Sequence, residues 1–144
     1  MNGVRFTGKP DEDHDERFFD FEKLEVYQLA LDFLDRLLRV TRVLPRELRY
    51  AVGDQLIRAA LSISNNLAEG AGKRSPKEKA RYYGTAIDSA RECISMLNVL
   101  VRQESLDGPL YEELRAMGRR VTGMLYGLLS AVDRTPYTKT CGLT

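Results

Sequence analysis

Four segments of this sequence carry apolar residues in alternating steps of three and four, and short breaks marked by proline or glycine separate them. Leu24, Tyr27, Leu31, Leu34 and Leu38 form the first stripe, widened by Ala30, Phe33 and Leu37. Leu48, Val52, Leu56, Ala59, Ile63 and Leu67 form the second, and Tyr83, Ala86, Ala90, Cys93, Leu97 and Leu100 the third. Leu110, Leu114, Met117, Val121, Leu125, Leu128 and Val132 form the fourth. This period puts one apolar face on each of four helices. Such a face is stable only when buried against another. No segment alternates apolar and polar residues as a half-buried strand does.

The breaks set the expected boundaries. Pro45 lacks an N–H donor and disfavours a helical residue before it. Helix one is therefore expected over about 22–44 and helix two over about 46–71, with Gly70 and Gly72 as its C-terminal stop. Ser75-Pro76-Lys77-Glu78 combines a capping box with proline at the first helical position, and the helix it starts should end near Glu104. Asp107-Gly108-Pro109 opens a fourth helix that runs to about 132. Links this short make successive helices antiparallel neighbours, each about 35 Å long at 1.5 Å per residue. The expected fold is all-α: an antiparallel up-down-up-down four-helix bundle over 18–132. Residues 1–17, with Asp11, Glu12, Asp13, Asp15 and Glu16, are expected as a flexible acidic leader, and 133–144 as a polar C-terminal tail. Phe18, Phe19 and Phe21 are candidates for a hydrophobic clasp on the bundle.

The residue inventory argues against catalysis. The only histidine, His14, lies in the acidic leader, whereas Ser-His and Cys-His nucleophile pairs need an imidazole beside the nucleophile. Cys93 and Cys141 form no CxxC and no zinc pattern; Cys93 falls on an apolar face and reads as a small hydrophobe. Glu69 and Glu92 are candidates for a carboxylate pair, but bundle di-metal sites also need Glu-x-x-His motifs, and the sequence has none. No catalytic residue, metal ligand or cofactor is expected. No apolar run approaches the ~20 residues of a membrane span. The N-terminus lacks an apolar signal-peptide core, so the expected location is the cytoplasm.

Three features go beyond what a bundle needs. The first is charge. The chain has 22 basic and 21 acidic residues, yet the stretch from Arg36 to Arg81 holds 11 basic against 4 acidic residues, a net +7. Arg36, Arg39, Arg42, Arg46 and Arg49 would share one bundle end with Arg115, Arg119 and Arg120, a candidate phosphate-binding surface for RNA or DNA. Glu47, Glu104, Asp107, Glu112 and Glu113 fall near that end and oppose it, which leaves a merely solvated face as the other reading. The second is the polar run Ser62-Ile63-Ser64-Asn65-Asn66, continued by Glu69, which reads either as a partly solvated face or as a polar network between helices or subunits, with Ser89 and Glu92 as partners. The third is Gly118, Gly123 and Gly127 in one helix, each costing roughly 1 kcal/mol relative to alanine. They suggest close backbone approach, inside the bundle or at a subunit interface.

The segment Gln55-Leu56-Ile57-Arg58-Ala59-Ala60-Leu61-Ser62-Ile63, followed by Asn66-Leu67-Ala68-Glu69-Gly70, resembles a family pattern, Gln-x-x-Arg-Ala-x-x-Ser-Ile-x-x-Asn-Ile-Ala-Glu-Gly. Leu67 replaces the isoleucine. That pattern belongs to the proteins encoded in intervening sequences of bacterial 23S ribosomal RNA genes, the S23 proteins. Phe21-Glu22-Lys23-Leu24-Glu25-Val26-Tyr27 resembles the family's opening, and Ser89-Ala90-Arg91-Glu92 resembles its Gly-Ser-x-x-Glu element, with Asp88 in place of glycine. The similarity covers about residues 19–130. It implies a structural motif of Gln55, Arg58, Ser62, Asn66, Glu69, Gly70, Ser89 and Glu92, and a homo-oligomer, typically a ring of five. A related group, the accessory variability proteins of diversity-generating retroelements, binds nucleic acid and partners a reverse transcriptase. The expected function is a non-enzymatic, homo-oligomeric bundle that binds RNA or DNA; the alternative is an accessory subunit of a reverse transcriptase.

Overall fold

The structure is a computed structural model that describes residues 19–134. The expected leader, Phe18, and the tail beyond residue 134, including Cys141, lie outside the described residues. The first bundle helix, α1, spans Glu25–Arg42. The second begins as α2 (Arg46–Leu48), passes through a π turn at Arg49–Gly53 and continues as α3 (Asp54–Ala71). The third is α4 (Pro76–Arg102) and the fourth α5 (Gly108–Arg134). Among the described residues there is no strand.

Side-chain contacts fix how the helices run. Between α3 and α4, Leu56 pairs with Cys93, Ser62 with Ser89, and Gly70 with Tyr83, so one number rises as the other falls. Asn98 with Tyr111 and Ile94 with Gly118 give the same opposed order for α4 and α5. Arg36 with Glu113 and Glu25 with Arg120 give it for α1 and α5. Each helix packs on two neighbours, α1 on α3 and α5, α4 on α3 and α5, in a closed square. These opposed registers are what an up-down-up-down bundle requires.

The core lies along the middle of the four apolar faces. Phe33, Leu37, Leu56, Ile63, Leu67, Cys93, Leu97, Leu100, Leu114, Val121 and Leu125 are fully buried. On α1 the centre of the face is Val26, Ala30, Phe33, Leu37 and Val40, while Leu24, Tyr27, Leu34 and Leu38 form its half-buried flank. The stripe read from the sequence is therefore rotated toward the residues that only widened it.

The boundaries differ from expectation where caps decide them. Residues Asp20–Lys23 form a 3₁₀ turn before α1, held by a Gln28 side-chain bond to the Glu22 carbonyl at 2.9 Å. Phe21 packs edge-on against Tyr27 at 5.0 Å, while Phe19 stays exposed. The second helix is not uniform: the Asp54 N–H bonds the Arg49 carbonyl five residues back, although Leu48, Arg49, Gly53 and Asp54 all keep right-handed helical dihedrals. It is one rod with a π insertion, a feature that apolar period alone does not reveal.

Gly70 and Gly72 do not act as a left-handed stop. Gly72 caps α3 at φ −81°, and Gly70 is a buried helical residue against which Tyr82 and Tyr83 pack. Lys79 supplies the missing cap, its Nζ donating to the carbonyls of Gly70 (3.1 Å) and Ala71 (2.8 Å). Ser75 caps α4, accepting from the Glu78 N–H at 3.4 Å with Pro76 at the first helical position, but the Glu78 side chain makes no return bond to the Ser75 N–H, so the expected capping box is only half formed. The helix then ends at Arg102 because Glu104 turns left-handed at φ 58°, with Ser105 N–H bonded to the Leu100 carbonyl and Glu104 N–H to that of Val101. Asp107 caps α5 through the Leu110 N–H at 2.8 Å.

Candidate nucleic-acid interface

The turn from α1 into α2 gathers the arginines. Helix α1 ends with Arg39 and Arg42, Pro45 reverses the chain, and Arg46 and Arg49 follow within one turn. Arg49 bends back over the end of α1, its Nη2 donating to the carbonyls of Arg42 (3.0 Å) and Leu44 (3.2 Å). A cation at these orphan carbonyls offsets the negative end of the helix dipole. Its other donors remain on the surface. Arg46 lies over the Tyr50 ring at 5.9 Å.

Beside this turn, α1 and α3 enclose an open groove of about 530 Å³ lined by Leu38, Thr41, Arg42, Arg49, Gly53, Asp54, Ile57 and Arg58. Three arginines and one aspartate are among its lining residues, so it carries more positive than negative charge. The π turn supplies Arg49 and Gly53 to its lining, and Gly53 packs beside Thr41 and Leu44.

The other expected arginines are placed differently. Arg36 is committed to Glu113, Nη1 to Oε1 at 2.8 Å. That hydrogen bond, then the opposite charge, holds the Glu113 carboxyl below its ordinary value and raises the Arg36 guanidinium. Arg115 is half-buried and donates to the Tyr111 hydroxyl at 3.0 Å. Arg120 sits 4.0 Å from Glu25 at the start of α1, away from the Arg42–Arg49 turn, and Arg119 is its neighbour in the chain. The structure thus groups Arg39, Arg42, Arg46 and Arg49, adds Arg58, and separates Arg119 and Arg120, because α5 runs away from that end. No ion pair links Arg39, Arg42, Arg46 or Arg58 to another described residue.

The polar run on α3 is a network in part. Ser89 donates to the Ser62 hydroxyl at 2.7 Å, and Asn66 Nδ2 donates to the Ser62 carbonyl (2.7 Å) and hydroxyl (3.0 Å). Gln55, Arg58, Glu69 and Glu92 are exposed. Glu69 and Glu92 do not pair: Glu92 lies level with residues 56–62, whereas Glu69 lies level with 79–83. Gly118 is the one glycine of α5 in close approach, where an added Cβ would lie 2.6 Å from Ile94 Cδ1; at Gly123 and Gly127 it would meet nothing within 4 Å.

Burial pushes the Cys93 thiol up to about 12, with the Glu92 charge acting in the same direction, so it is a poor nucleophile. Among the described residues no group of His, Cys, Asp and Glu is placed to hold a metal ion, and no helix is long and apolar enough to cross a membrane. Tyr50, exposed beside Arg46, is a residue of this turn that the apolar and charge patterns do not single out. The sequence marks it only as an aromatic residue off the apolar stripe, directly after Arg49.

The family described as 23S rRNA-intervening sequence protein matches residues 22–127. The chain belongs to this family. A solved structure described as a protein with unknown function from the S23 ribosomal protein family, from Bacteroides thetaiotaomicron, is similar to it at 22% identity and a TM-score of 0.68. The similarity covers 73% of this chain and 95% of that one, and it shows the shared fold. No curated protein matches. Within the 23S rRNA-intervening sequence protein match, residues 22–127, lie α1, the π turn and the Ser62–Ser89 network of this chain.

Proposed function

We propose that this protein is a non-enzymatic homo-oligomer that binds RNA or DNA through the basic turn joining α1 to α3. The observation that carries the reading is the convergence of Arg42, Arg49 and Arg58 on one groove beside Arg46 and Arg39, with Asp54 as its single lining carboxylate. Planar guanidinium groups donate paired hydrogen bonds to phosphate oxygens. Repetition of weak sites around an oligomer raises their joint affinity. The open faces of Gly123 and Gly127, beside exposed Tyr126, support a subunit contact on α5. A non-catalytic role is supported by the inert Cys93 and by the separation of Glu69 from Glu92.

The test is a salt titration of RNA and DNA binding, with the triple change Arg39→Glu, Arg42→Glu, Arg46→Glu alongside. Phosphate binding releases counterions, so wild-type affinity falls steeply as salt rises, and the folded triple variant loses binding. Equal binding by the two proteins, or none by wild type at low salt, defeats the reading.

A further inference from the structure

Resting on the nucleic-acid reading above, we infer that the α1–α2 turn is a site selective for single strands, in which Tyr50 stacks an unpaired base while Arg42, Arg49 and Arg58 hold the flanking phosphates. Tyr50 lies on the π turn directly after Arg49, and the residue is 64% exposed. It packs into no core, so folding gives no reason for a ring there. Arg46 sits over it at 5.9 Å, which places a guanidinium beside the ring, and both residues remain exposed. Val43, in the α1–α2 connection, is 81% exposed. Scattered exposed apolar residues need no explanation; here Tyr50 and its cation Arg46 fall between Arg42 and Arg58 in the chain, the stretch that supplies the three arginines lining the groove.

The chemistry of such a set favours one ligand class. A basic groove alone attracts any phosphate backbone and gives no preference for a single strand over the more densely charged duplex. In a duplex both faces of each base are covered by its neighbours. A single strand can turn a base out, and an aromatic ring then gains a stacking partner without reading its sequence. The guanidinium of Arg46 against the ring adds a cation–π layer to the stack. The groove is the phosphate subsite, and one lining carboxylate, Asp54, against three arginines leaves it net positive.

The experiment uses the full chain, with a fluorescently labelled single-stranded RNA of mixed sequence and the same strand annealed to its complement, followed by anisotropy at low salt. Wild type is expected to bind the single strand about ten-fold more tightly than the duplex, the size expected for one stacked base. Tyr50→Ala removes that difference and leaves duplex affinity unchanged. Tyr50→Phe, which keeps the ring, retains it. The exposed side chain makes both variants foldable, and circular dichroism confirms this. Equal wild-type affinity for the two forms, or a single-strand preference that survives Tyr50→Ala, overturns the inference while leaving phosphate binding intact. Absence of binding to either form by wild type overturns it together with the nucleic-acid reading.

Discussion

Ser89 on α4 donates its hydroxyl proton to the Ser62 hydroxyl on α3 at 2.7 Å, and through Ser62 it is joined to Asn66 one turn further along α3. Ser89 is buried, Ser62 and Asn66 are half-buried, and each side chain finds its partners locally. Ser62 is the hub, because its oxygen accepts from both Asn66 and Ser89. Ser62→Ala is expected to cost about 1–3 kcal/mol, since it leaves the buried Ser89 hydroxyl without its acceptor. Ser62→Ala with Ser89→Ala together should cost less than the sum of the two single changes. Denaturant melts of the three variants measure this, and strict additivity contradicts the network.

Gly70 tests the α3–α4 contact. A Cβ there would lie 2.8 Å from Tyr83 Cε1 and 3.0 Å from Tyr82 Cβ, and Tyr83 is buried. Gly70→Ala is expected to destabilise by about 1–3 kcal/mol through overpacking, despite alanine's better helix propensity. A thermal melt showing stabilisation would mean that the tyrosines shift freely.

Gly123 and Gly127 separate the protomer from the assembly. In a free helix each change to alanine is favourable by about 1 kcal/mol, and open space surrounds both positions within the protomer. If α5 forms a close subunit contact, the double change to alanine lowers the oligomer mass seen by light scattering while the helices themselves become more stable. Unchanged mass with a higher melting temperature places the interface elsewhere.

Glu104 holds a left-handed conformation at φ 58° without glycine's freedom. Glu104→Gly is expected to stabilise the chain by about 1 kcal/mol, because it removes the Cβ clash while keeping the bonds to Leu100 and Val101. Urea melts at neutral pH check this.

The Cys93 thiol, held at about 12 by burial, gives a pH dependence with a defined sign. Above its ordinary value of 9.0 the unfolded chain loses this proton and the folded chain keeps it. The unfolded state then binds fewer protons, so stability falls as pH rises from 9.0 toward about 12. Burial raises the Tyr83 phenol too, so it adds to the same trend. Cys93→Ala should flatten the stability profile in this window, although its neutral-pH stability is lower. Thiol reagents should label native Cys93 only at the rate of unfolding, read by mass spectrometry of the peptide that contains it.

The sequence alone determined the four apolar faces, the breaks between them and the caps at Ser75 and Asp107, because helical period and capping chemistry are local. It also marked Ser62, Asn66 and Ser89 as polar residues in need of partners. Tertiary structure decided what depends on how the rods are phased against each other. It rotated the α1 core toward Phe33 and Leu37, gave Gly70 to two tyrosines, and left Gly123 and Gly127 facing open space. It also moved Arg120 to Glu25, bound Arg36 to Glu113, and brought Arg58 across to Arg42 and Arg49. A one-dimensional pattern fixes which side of a helix is apolar. Only packing fixes the axial register and rotation between helices, and those two quantities decide which charges share a surface.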